Sequence, residues 1–489
     1  MKKHILLIIL LFPMVAGAQD FASYARKVAK DWNITGSALA VIKNDSVVFA
    51  QGFGEQRNDS GVPVNENTVF QIGSVSKSFT ATLMAMLADE GLVSWEDPVK
   101  WYLPDFAMYD PWVTENMQVR DLFLHRSGLP EQAGTYIPCL GYDRNDVYRL
   151  LQFIPPANSF RTTYGYNNVL FIVAEKIIES VTGKTWEENL KERIFEPLGM
   201  HNSSVNEAGF LATAGENTPH ETVLKDGVIQ TKPMVGEEQA LFWLTVIGPA
   251  GGINSTVSDM MQWCRLHLSN GIVDGDTLLS SAALDYLHKG QLITSQTDHK
   301  TNIYAPCWFV EQNDRYRVWF HTGTTWGFTA ICAFVPELDL GLMWLSNCEP
   351  PSSPRYAIMR HVIDYYMDQP FKDYSAEYLA EYLEGAKKEP ASPQVPEPSA
   401  PYAQYVGTYV HKSLGEAQIT LENGELYITL GPETFPYRKH LMTHVNGQTF
   451  RFRSGGAAFT MKFMMEDYLL TFDLDLKQNE NMGLWRAKQ

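Results

Sequence analysis

Ser74-Val75-Ser76-Lys77 stands between a strand-like stretch and a helix pattern with Phe79, Leu83, Met84, Met86 and Leu87 apolar and Gly91 as its stop. The spacing places an ammonium group one helical turn beyond a serine hydroxyl, on the same helix face. Serine is a poor nucleophile until something takes its proton. A lysine held close and partly buried can do so through a lowered pKa. The helix also directs its positive N-terminal end at the serine. Alone, S-x-x-K reads more readily as an N-cap serine followed by a solvated lysine.

Two further motifs follow in order. Tyr164-Gly165-Tyr166-Asn167-Asn168 opens the helix pattern Leu170, Ile172, Val173, Ile177, Ile178, which closes near Gly183. Read as Y-x-N, it supplies a phenol (Tyr166) that can shuttle protons beside an ammonium and an amide (Asn168) that can orient an acyl group. His321-Thr322-Gly323-Thr324 comes after the strand-like run 316–320. A glycine next to a strand end lets a substrate backbone lie close, so that the Thr324 N–H faces an oxyanion.

The ordered set S-x-x-K, Y-x-N, H-T-G resembles the serine β-lactamase and penicillin-binding-protein superfamily, on its class C-like side, since tyrosine stands where class A has the serine of S-D-N. Leu122-Phe123-Leu124-His125-Arg126-Ser127-Gly128-Leu129-Pro130, Phe195-Glu196-Pro197-Leu198-Gly199-Met200 and Ala250-Gly251-Gly252-Ile253-Asn254-Ser255-Thr256 extend the likeness over residues 20 to 370. The resemblance implies Ser74 as nucleophile, Lys77 and Tyr166 as one proton relay, and Asn168, His321 and Gly323 as substrate-orienting. It further implies that the N–H groups of Ser74 and Thr324 form the oxyanion hole. His125 is expected to be a buried structural histidine.

One departure bears on substrate. β-Lactamases carry lysine where this chain has His321, and a histidine near its reference pKa of about 6.5 is mostly neutral at pH 7. That favours esters or less charged amides over carboxylate-ended substrates. Trp308, Trp319, Trp326, Phe328 and Trp243, near the motifs, are expected to point the same way, towards an apolar substrate.

Residues 1–18 begin with Lys2 and Lys3, run apolar from Ile5 to Val15 and end Ala16-Gly17-Ala18. This is expected to be a signal peptide, giving an exported, periplasmic or secreted protein with no membrane span after its removal. The formal charge of −17 becomes −19 once those two lysines are gone. So acidic a chain repels nucleic acid, and the expected partner is a small-molecule or peptide substrate. The five cysteines resemble packed apolar residues more than a disulfide framework. No G-x-S-x-G elbow or H-E-x-x-H is present, and no cofactor or metal is expected. His440 and His444, four apart in a strand or turn pattern, are expected to be exposed surface histidines.

Five prolines between Pro390 and Pro401 mark a semi-rigid linker. The expected division is therefore signal peptide 1–18, hydrolase domain 19–385, linker 386–403 and β-domain 404–489. The fold class is α/β: by resemblance, an antiparallel sheet flanked by helices plus a helical subdomain. The tail reads as a small all-β barrel or sandwich, resembling the lipocalin-like appendage of some family members. It carries an Asn423-Gly424 hairpin, a second turn at Asn446-Gly447, and period-two faces at Phe450, Phe452, Phe459, Met461 and Phe463, then Leu470, Phe472 and Leu474. Three readings of function compete: a hydrolase of esters or amides (esterase, D-amino peptidase, carboxypeptidase or β-lactamase-like), an acyltransferase to an alcohol or amine, and a silent binder. Intact Ser74, Lys77 and Tyr166 argue against the last, and the oligomeric state stays open.

Overall fold

A computed structural model describes residues 20–234, 238–349, 353–387, 401–466, 469–475 and 484–488. The signal-peptide expectation (1–18), most of the linker, and the side chains of Leu470, Phe472 and Leu474 lie outside the described residues. The chain divides into two compact units. One comprises Met1–Glu90, Glu187–Val235 and Gly251–Glu389; the other comprises Gly91–Trp186, Gly236–Ala250 and Pro390–Gln489.

The first unit is built on an antiparallel sheet of eight strands. In chain order these are β1 (Gly36–Lys43), β2 (Ser46–Gly54), β3 (Leu292–Gln296), β4 (Lys300–Ala305), β5 (Trp308–Asn313), β6 (Arg317–Thr325), β7 (Phe328–Val335) and β8 (Leu340–Ser346). Their spatial order is β3-β4-β5-β6-β7-β8-β1-β2, so the first hairpin closes onto the last strand. Asn44 and Asp45 at φ 50° and 58° make the two-residue turn whose twist suits a hairpin. β1, β7 and β8 are buried along almost their whole length because helices cover both faces. Leu39 and Val41 pack in one cluster with residues of the helix over 20–31 and of the helix Ser353–Tyr366. On the sheet's other side the helix Val257–Leu268 brings its Cys264 thiol 3.6 Å from Cys332 of β7. All five cysteines are buried thiols, as the composition implied.

Sequence reading placed His321-Thr322-Gly323-Thr324 after a strand. Instead β6 runs through the motif to Thr325, because pairing with β7 continues unbroken from Trp319–Phe334 to Thr325–Phe328. The aromatic expectation is also corrected for four of its five residues, Trp326 being half-buried. Trp308, Trp319, Phe328 and Trp243 are core residues. Trp319 stacks on Phe334 at 5.9 Å and donates its indole N–H to the His288 carbonyl at 2.9 Å. The three in the sheet pack under its covering helices and Trp243 packs from the helix Glu238–Val246, so these rings say nothing about substrate polarity.

In the second unit the helix Leu170–Thr182 ends at Gly183, which takes the left-handed conformation (φ 69°) that such a cap requires. The C-terminal region is a closed barrel of eight antiparallel strands, from Gly407–His411 to Leu484–Ala487. Asn423-Gly424 makes the expected hairpin turn, and Phe450, Phe452, Phe459, Met461 and Phe463 are all buried. The barrel packs on the segment around Ile137–Leu140. There the Ser454 hydroxyl donates to the Cys139 carbonyl at 2.6 Å, and the Tyr142 hydroxyl donates to the Leu414 carbonyl. The expectation of surface histidines at 440 and 444 fails for His440. Alternation along Lys439–Asn446 turns it inward with Met442, where it stacks on Phe452 at 5.2 Å and burial pulls its pKa to about 4.

Candidate active site

Ser74 lies in a single 3-10 turn, Gly73–Val75, that feeds directly into the helix Ser76–Asp89. Phe70 and Gln71 pair with Ser255 and Asn254, the Ile72 N–H donates to the Ile253 carbonyl (3.0 Å), and the Ile253 N–H donates to the Ser76 hydroxyl (3.1 Å). The Gly-Gly-Ile-Asn-Ser stretch singled out in the sequence is thus the clamp that fixes the serine's turn.

The helix from Ser76 to Leu87 is buried throughout, and Lys77 goes in with it at 0% exposure. Its Nζ lies 3.1 Å from Ser74 Oγ, while Ser74 itself keeps partial access to solvent. Burial pulls the lysine's pKa from 10.5 to about 7. The opposing influence is the Cys307 thiol, but burial holds that thiol well above its usual range, so it supplies no counter-charge at neutral pH. A lysine in this condition can exchange a proton with a neighbouring hydroxyl near pH 7.

The β6 strand closes the other side. Gly323 and Gly73 meet backbone to backbone: a Cβ on Gly323 would lie 1.8 Å from the Ile72 carbonyl oxygen, and one on Gly73 would lie 2.6 Å from the Thr324 nitrogen. Only glycine permits this approach, which seats the Thr324 peptide beside the serine's turn. His321 is buried. Its Nδ1 donates to the Thr322 carbonyl at 2.7 Å, which leaves Nε2 to accept from the Tyr304 hydroxyl at 3.3 Å. Burial first, then the cations of Lys77 and Arg355, hold its pKa at about 3. It is therefore neutral across the physiological range, more firmly than its sequence position implied.

Of the expected site residues, Ser74, Lys77, His321, Gly323 and Thr324 fall within the first unit; Tyr166 and Asn168 fall within the second. There Asn168 donates its amide to Gln132 Oε1 (2.8 Å) and Thr135 Oγ1 (3.2 Å). Tyr166 is half-buried with its ring 4.3 Å from that of His125. His125 is fully buried and accepts the Asn167 N–H at 3.1 Å, so the L-H-R-S-G-L segment sets the Y-x-N loop in place, as expected of a structural histidine.

Three neighbours were missed in the sequence: Tyr304, Cys307 and Arg355. Pro306-Cys307 joins β4 to β5 in a two-residue turn with Cys307 at φ 65°, a position usually held by glycine. The Ala-Pro-Cys-Trp string signals that turn. Nothing local signals that it faces Lys77.

A family model described as Beta-lactamase matches residues 21–365, and one described as a domain of unknown function (DUF3471) matches residues 391–485. The chain is 27% identical over 428 residues to "Unguisins hydrolase ungD'" of Aspergillus campestris, covering 82% of this chain and 77% of that one. The octameric penicillin-binding protein homologue from Pyrococcus abyssi aligns with a TM-score of 0.60 at 19% identity, over 96% of this chain and 99% of that one. The D-amino acid amidase from Ochrobactrum anthropi SV3, complexed with D-phenylalanine, aligns at 0.55 and 20% identity, over 71% and 98%.

Proposed function

This chain belongs to the beta-lactamase family and is a serine hydrolase, and from that premise we propose that it cleaves an ester or amide through an acyl-enzyme on Ser74. The observation that carries the reading is a buried Lys77, its pKa near 7, with Nζ 3.1 Å from the serine oxygen. Neutral Lys77 takes the Ser74 proton as Oγ attacks the acyl carbon. The N–H groups of Ser74 and Thr324 hold the oxyanion, and the proton passes to the leaving group. Water then releases the acid. Tyr166 shares the relay and Asn168 orients the acyl side, as the motif order implies.

A neutral His321 supports esters and amides without a terminal carboxylate. Hydrolysis is in keeping with a relative named for hydrolysis of unguisins and a structural neighbour titled as a D-amino acid amidase. The apolar amino-terminal segment supports export to the periplasm or beyond. Labelling with a fluorophosphonate or penicillin probe followed by peptide mapping tests the reading, which expects the mark on Ser74. A mark elsewhere, or none while an activated ester is turned over, refutes it. Adding a hydroxylated acceptor to the ester assay distinguishes hydrolysis, which yields free acid, from acyl transfer.

A further inference from the structure

Arg355 lies near the start of the helix Ser353–Tyr366, almost fully buried at 7% exposure. Its Nη1 donates to the Gly323 carbonyl at 2.7 Å and to the Thr324 hydroxyl at 3.0 Å. The Gly323 carbonyl and the Thr324 N–H are the two ends of one planar, conjugated peptide group. A guanidinium cannot lose its proton in a protein, so the bond to that oxygen is permanently charge-assisted. Withdrawing electron density at the oxygen makes the nitrogen end a stronger donor, the cooperative effect seen along hydrogen-bonded chains. The second bond, to the Thr324 hydroxyl, holds the same residue's side chain and so the tilt of the peptide plane.

We propose that Arg355 is a positioning residue that strengthens and orients the Thr324 N–H as an oxyanion donor by engaging the opposite end of its peptide. The proposal rests on the reading that this N–H serves the oxyanion of a Ser74 acyl-enzyme. It assigns a catalytic consequence to a side chain on the far side of that peptide from the oxyanion. Its effect belongs to the transition state and to the bound acyl carbonyl, not to substrate capture.

Infrared difference spectroscopy on the full chain, acylated by a p-nitrophenyl ester carrying 13C at its carbonyl, gives the decisive readout. In the wild type the acyl carbonyl band should lie below that of the same ester in water. Arg355→Met should move it back towards the water value and slow acylation about tenfold with KM unchanged, since weakening a donor does less than deleting one. Arg355→Lys, which keeps charge but not reach, should fall between, and guanidinium ion should restore part of the rate to Arg355→Ala. An unmoved band in Arg355→Met on labelled Ser74 overturns the proposal, leaving the residue only a strand support. If Arg355→Met does not fold, an unmoved band in Arg355→Lys overturns it equally. A wild-type band at the water value, or no acyl group on Ser74, removes the oxyanion-hole reading itself, a failure distinct from the first.

Discussion

Gly73 and Gly323 are in backbone contact: a Cβ added to Gly73 would lie 3.1 Å from the Gly323 Cα, and one added to Gly323 would lie 3.2 Å from the Gly73 Cα. Through that contact the turn carrying Ser74 and the strand carrying Thr324 become one surface. Gly323→Ala must push a methyl into the Ile72 carbonyl, 1.8 Å away, and neither partner is a flexible side chain. We expect hydrolysis of an activated ester to fall by at least about 100-fold, the loss typical of a displaced oxyanion donor, with a lowered melting temperature. A variant that keeps wild-type turnover shows that the close approach is dispensable.

Ser74→Ala should abolish turnover and leave the melting temperature within a few degrees, because the proposed role of this half-exposed hydroxyl is chemistry rather than packing. Residual ester hydrolysis above about a tenth of wild type excludes Ser74 as nucleophile.

The pH profile follows from Lys77. On the proposed mechanism the free enzyme needs the lysine neutral, so kcat/KM should fall about tenfold per pH unit below an apparent pKa of about 7. Cys307→Asp tests the cause. Aspartate tolerates the left-handed backbone there and sets a carboxylate beside the ammonium, which favours the charged form. The acidic limb should move up by about one to three pH units. An unmoved limb means another group sets it.

Lys77→Ala, Tyr166→Phe and the double variant should be strongly non-additive if the two residues form one relay. Defects that multiply independently dissolve that pairing.

Acid should destabilise the first unit early. His267 is buried and His288 half-buried, 2.9 Å apart through Nδ1 and Nε2, and desolvation holds His288 at about 3 and His267 well below its ordinary value. Both folded-state values lie below the unfolded 6.5, so their contribution is complete above that pH and drains as pH falls towards the folded values. Each should remove on the order of 1 kcal/mol per pH unit between pH 6 and 5. Urea melts across that range check it: His288→Asn should flatten the slope by one histidine's share, and an equal slope in both proteins refutes the assignment.

Much of this protein was legible in its sequence because local rules carried it. Asn44-Asp45 and Asn423-Gly424 announce their hairpins through backbone conformations few residues adopt, and Gly183 announces its helix end. The serine–lysine pair is one helical turn apart, so its 3.1 Å contact needs no long-range information. Everything that tunes the pair does need it. Burial of Lys77, neutrality of His321, the thiol of Cys307 and the guanidinium behind Thr324 arise where segments tens to hundreds of residues apart pack together, and desolvation depends on all of them at once. The same reason separates the Trp308 and Trp319 expectation from its outcome. Residue type gives the affinity of a ring for an apolar place, and only the tertiary structure decides whether that place is a cleft or the core between sheet and helices.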